Sequence, residues 1–117
     1  MAVRSVWIEV VNGFDNLTRK DFGLEGGDWS NNESATPPET IRVRSRVSFG
    51  SESNGAATGT AGWATYDSPD GEIKITWSNP FIGANSFDVA VPGSAQAQWS
   101  DISGNNAAVA VTLLPNF

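Results

Sequence analysis

Apolar residues in this chain recur at every second position and never along a sustained helical stripe. That period of two confines it to β structure. Val6, Ile8 and Val10 alternate with Ser5, Trp7 and Glu9 in the segment from Val3 to Val11. From Thr40 to Gly50, Ile41, Val43, Val47 and Phe49 share one face with Ser45, while Arg42, Arg44 and Arg46 take the other. TAGWATYD (60–67) is aromatic and Thr-rich. The turn Ser68-Pro69-Asp70-Gly71 follows, with Pro for a fixed φ and Gly for a positive one, and is predicted to close a hairpin. In the next segment Ile73, Ile75 and Trp77 alternate with Glu72, Lys74 and Thr76. Phe87, Val89 and Val91 mark another strand, residues 95–102 a further one, and Val109, Val111 and Leu113 the last. The least patterned stretch, EGGDWSNNESATPP (25–38), reads as a long loop. The predicted fold is all-β: a single-domain antiparallel β-sandwich of about seven to nine short strands over residues 1–117, with a barrel as the alternative.

Composition narrows the function. A chain of 117 residues fits one domain. With 13 acidic and 7 basic residues its net charge is −6, which argues against a nucleic-acid partner, since phosphate binding wants surplus Lys and Arg. It contains no Cys and no His, which excludes disulfides, thiol nucleophiles, a Ser-His-Asp triad and the usual zinc sites. No enzymatic activity, cofactor or metal site is expected. No run of about 20 apolar residues offers a membrane-spanning helix. The start, Met-Ala-Val-Arg-Ser, enters a strand pattern without a preceding apolar segment. The expectation is therefore a protein made soluble in the cytoplasm without a signal peptide.

Three groups of side chains could carry function. Five Trp is a high content for this length. Trp77 lies on an apolar strand face and is assigned to the core. Trp29 sits in the polar loop after Gly26-Gly27-Asp28, where an indole either plugs the sandwich end or is held outward as a contact residue. Trp7 shares its strand face with Glu9 rather than with Val6 and Ile8, which makes it a second contact candidate. Arg42, Arg44 and Arg46 form a stripe on one strand face: a solvated face paired with carboxylates, or a patch for a partner or an anionic headgroup. Asp67, Asp70 and Glu72 cluster at the hairpin, where turn chemistry accounts for them and the spacing is not that of an EF-hand.

VWIEVVN (6–12), GGDW (26–29) and ESNGAATGTAG (52–62), leading through SPDGEIKI into WSNPFIGANSFD (77–88), resemble the aegerolysin family. The likeness is greatest to the small aegerolysin-like component of bacterial binary insecticidal crystal toxins and covers roughly residues 6–88. The resemblance implies an aegerolysin/actinoporin-like β-sandwich that is cytolytic or membrane-directed without being an enzyme. It implies storage in inclusions or release, action at a target-cell membrane through recognition of a membrane lipid or surface receptor, and a second, larger pore-forming protein as partner; self-association is left open. Carried over by motif, lipid or receptor contact falls to Trp29 in GGDW, to Trp7 on the first strand and to Glu52, with Asp28 beside Trp29. Because a net charge of −6 repels anionic lipid, the expected headgroup is neutral or zwitterionic. The competing reading is a carbohydrate-binding, lectin-like sandwich that uses Trp29 with Asn31 and Asn32.

Overall fold

The computed structural model describes residues 3–116, which fold as one nearly all-β unit of two five-stranded sheets. In chain order the elements are β1 (Ser5–Asn12), β2 (Leu17–Gly26), β3 (Asp28–Trp29), a helical turn α1 (Ser30–Glu33), β4 (Thr40–Ile41) and β5 (Ser45–Glu52). They continue with β6 (Thr60–Ser68), β7 (Gly71–Asn79), β8 (Ser86–Ala90), β9 (Ala95–Trp99) and β10 (Asn106–Pro115). One sheet runs β3-β5-β1-β10-β9 and the other β4-β2-β6-β7-β8. Ten strands exceed the expected number only through β3 and β4, which are two residues long.

The period-two pattern places the core where the sequence reading puts it. Val6, Ile8, Val10, Phe49, Val109, Val111 and Leu113 of the first sheet face Ala64, Tyr66, Ile73, Ile75 and Trp77 of the second, all essentially without solvent exposure. Trp77 is 2% exposed, as assigned. The Ser68–Gly71 hairpin forms, with Gly71 at φ 135°, a value only Gly adopts at ease. At one open side the edge strands β8 and β9 meet through Phe87 and Trp99, edge to face at 5.9 Å.

Three expectations need correction. The sandwich is not purely antiparallel: β1 and β10 pair in parallel at the centre of their sheet, from Ser5↔Asn106 to Asn12↔Leu113. A parallel pair needs a long crossover, and here the whole intervening chain supplies it. Thr40–Gly50 is not one strand. The chain turns at Val43 and Arg44, with Arg44 at φ 65°, so that β4 belongs to one sheet and β5 to the other. Ile41 and Phe49 are both fully buried and of the same parity, so the pattern runs through the break without registering it. Finally, β2 occupies residues for which no strand was predicted. A register shift between Arg19 and Asp21 breaks its alternation, and Arg19 stands where an apolar residue would be expected. The Arg19 guanidinium lies 4.2 Å from the centre of the Phe22 ring and donates to the Pro37 carbonyl at 2.7 Å, which makes that position tolerable.

Tyr66 packs in the core and donates its hydroxyl to the Pro38 carbonyl at 2.6 Å. Burial pushes its pKa well above the usual phenol value, with Arg19 opposing the shift. A folded-state pKa above the unfolded one gives stability that is complete below about pH 10 and falls as pH rises through that value. Chemical denaturation between about pH 8 and 11 should show this fall. Tyr66→Phe should flatten it while costing about 1 kcal/mol at neutral pH through the lost hydrogen bond.

Candidate functional site

One end of the sandwich gathers Asp28, Trp29 and Glu52 from the residues singled out above. The strand pairings Ser5↔Glu52 and Asp28↔Glu52 put β1, β5 and β3 side by side there. Thr60↔Asn79 brings the start of β6 and the end of β7 to the same end. Asn79 fastens the two halves. Its buried side-chain amide lies 3.0, 3.1 and 2.9 Å from the carbonyls of Ser5, Gly104 and Asn105.

The GGDW motif explains its own glycine. Gly27 has φ 94°, and a side chain there would collide with the Glu52 carbonyl and the Thr60 hydroxyl. This close approach lets β3 pair with β5 for two residues, which turns Asp28 outward beside Glu52 and Trp29 inward. The following turn is unusual: Asn31, Asn32 and Glu33 all hold left-handed backbone, at φ 55°, 56° and 66°. Asn tolerates that region better than Glu, and left-handed residues cost roughly 1–2 kcal/mol each. The turn is fixed by Ala35 N–H to the Ser30 carbonyl at 3.0 Å and by Gly50 N–H to the Ala35 carbonyl at 3.1 Å. It places Asn32 and Glu33 over the β3–β5 edge. Together Asp28, Trp29, Asn32, Glu33 and Glu52 line an open recess of about 290 Å³. Three carboxylates and one amide lining an indole make an acceptor-rich recess suited to a cationic or hydroxylated group. Among the described residues no group of three or more carboxylates is arranged to hold a metal ion.

Asp28, Trp29 and Glu52 are thus brought together, and Glu33, which nothing in the sequence pattern marks, joins them. Trp29 is not held outward. Its ring is half-buried, 6.1 Å from Trp77 and 5.9 Å from Phe22, so it plugs the sandwich end and shows only part of itself to the recess. Trp7 is 38% exposed on the outer face of the first sheet, lying across Gly50, and does not line the recess. The arginine stripe does not exist as a strand face. Arg42 and Arg44 sit at the turn beside the end of β1, at the opposite end of the molecule, with the Arg44 N–H bonded to the Asn12 carbonyl at 2.6 Å. Arg46 is on β5, 3.9 Å from Glu9.

Beside the recess, at the same end, a second feature escaped the sequence reading. The β7–β8 turn carries Phe81 and Ile82, 38% and 85% exposed. Arg4 backs this loop, its guanidinium 4.9 Å from the Phe81 ring centre and donating to the Phe81 carbonyl at 3.0 Å. Gly59 packs against the backbone of Asn79 and Pro80, where a side chain would clash, so the TGTAG turn and the NPFIGAN turn fit as one unit. The available signal was two adjacent apolar residues between Pro80 and Gly83, out of phase with any strand.

No family model matches the chain. An uncharacterized protein of Dictyostelium discoideum is 30% identical over 99 residues, a match covering 83% of this chain but only 9% of that protein. Among solved structures, IP-1A from Alcaligenes faecalis aligns with a TM-score of 0.73 at 14% identity, over 99% of this chain and 94% of its own. The two proteins share a fold.

Trp29→Ala should lower stability by about 2–4 kcal/mol, because it opens a cavity against Phe22 and Trp77. Urea denaturation checks this, and a loss under about 1 kcal/mol would show that the indole is a surface group after all.

Proposed function

We propose that this protein is a non-enzymatic, membrane-directed component of a toxin-like system, which docks by the end of the sandwich that carries the Phe81–Ile82 loop. The observation that carries this reading is Ile82, an aliphatic side chain left 85% exposed at a loop tip with Phe81 beside it and Arg4 behind it. Scattered exposed apolar residues are ordinary, but an aromatic–aliphatic pair at an exposed turn backed by a cation matches the composition of a membrane interface. The neighbouring acidic recess suits the cationic end of a zwitterionic headgroup, while Arg4 stands where a phosphate could be met. The net charge of −6 disfavours anionic membranes. The resemblance of GGDW and NPFIGAN to aegerolysins supports the same reading, and the fold shared with IP-1A fits it.

Contact through one loop gives weak, reversible attachment. Burying Ile82 contributes about 2 kcal/mol. Stable action therefore calls for headgroup recognition in the recess, several copies of the chain, or a larger pore-forming partner.

Vesicles of phosphatidylcholine, with and without sphingolipid and sterol, test the proposal by co-sedimentation. Ile82→Ser should weaken binding roughly tenfold while leaving stability within about 0.5 kcal/mol of the parent. Equal sedimentation of parent and variant, or none of the parent with any composition, would contradict membrane docking through this loop.

A further inference from the structure

The outer face of the second sheet carries a groove that the membrane reading does not use. Its volume is about 570 Å³, within the range of small-molecule sites. Strand register builds it in rows. Trp63 on β6 lies opposite Thr76 on β7, which lies opposite Asp88 on β8. The row on one side holds Ser78 and Ser86, and the row on the other holds Lys74. Trp63 to Asp88 therefore spans two strand spacings, about 10 Å.

Trp63 is fixed in place. Its indole N–H donates to Asp21 at 3.1 Å, and its six-membered ring lies across Gly23, where any side chain would overlap it. Gly23 thus serves as the bed for the ring. Trp63 lines the groove and is only partly buried.

We infer that this groove binds a neutral saccharide, with Trp63 as its stacking platform. The electron-rich face of an indole attracts the C–H groups of a sugar ring, while the groove edge offers what sugar hydroxyls need in both directions. Asp21, Glu25 and Asp88 accept hydrogen bonds, and Lys74 donates them. Three carboxylates against one ammonium repel sialylated or sulfated glycans. The Lys74 ammonium in the same groove weighs against a basic peptide as the ligand. The inference is independent of the membrane proposal, since it concerns a different face.

The test is a titration of the full chain with neutral hexose and N-acetylhexosamine oligosaccharides, sialylated counterparts and oligolysine. It is followed by calorimetry in every variant and, where Trp63 is kept, by its indole N–H resonance, identified by its absence in Trp63→Phe. A saturable shift with a neutral oligosaccharide, but not with the sialylated form, is expected. Trp63→Ala should abolish the binding heat, and Asp88→Asn, an exposed and nearly isosteric change, should weaken binding roughly tenfold. Ile82→Ser should leave it unchanged. Presenting the same sugars as glycolipids in phosphatidylcholine vesicles separates a lipid-borne from a free ligand. Binding in either form that survives Ile82→Ser and is lost in Trp63→Ala supports the site. No saturable shift with any neutral sugar, a response to oligolysine alone, or unchanged affinity in Asp88→Asn would overturn it.

Discussion

A buried hydroxyl in the core pins the two sheets at the candidate end, beside the Asn79 amide. Ser51, on β5 of the first sheet and without solvent exposure, accepts the Trp77 indole N–H from the second sheet at 2.9 Å. Its oxygen lies 2.7 Å from the Thr60 hydroxyl, which in turn lies 3.0 Å from the Gly26 carbonyl. With one proton per hydroxyl, a single chain of hydrogen bonds runs from the Trp77 indole to the end of β2. Among the described residues no buried side-chain polar atom lacks a partner. An apolar residue at position 51 would strand the buried indole N–H, while the Thr60 hydroxyl would keep the Gly26 carbonyl, so the pin matters more than its own bond energy suggests. The recess hangs from it: Trp77 supports Trp29, Trp29 lines the recess, and Thr60 packs against Gly27.

That dependence explains which parts of the molecule could be read from the sequence. The core was legible because burial in a two-sheet sandwich imposes a strict alternation, visible in Val6-Ile8-Val10 and Ile73-Ile75-Trp77. β2 was not, because its bulge shifts the parity and Arg19 takes an inward position by covering Phe22. The break at Val43–Arg44 was invisible because a turn of suitable length preserves the parity on both sides. The two small corrections in topology have the same origin: alternation reports which way a side chain faces, never which strand lies alongside.

The candidate site was half legible. The resemblance at GGDW placed Asp28, Trp29 and Glu52 together, and the glycine in it has a plain steric reason. Glu33 was hidden because it reaches the recess through consecutive left-handed residues, which no propensity scale foresees. Phe81 and Ile82 carry no strand signal, because they stand in a turn whose Gly, Pro and Asn set its shape. Trp29 shows the converse: its polar loop suggested exposure, but the aromatic contacts with Phe22 and Trp77 draw it inward. The molecule thus presents an apolar loop with an acidic recess at one end and two exposed arginines at the other, with a Trp-floored groove on one broad face.

The central claim is that the Phe81–Ile82 end meets the membrane. Because the chain has no cysteine, single labels can be placed without background. A polarity-sensitive dye on Ala84→Cys, beside the apolar loop, would be compared with the same dye on Asp70→Cys, in the hairpin at the opposite end. With phosphatidylcholine–sphingolipid–sterol vesicles, a blue shift and loss of aqueous quenching at position 84 but not at 70 is the predicted result. A shift at 70, or equal exposure of both labels on vesicle-bound protein, would contradict it.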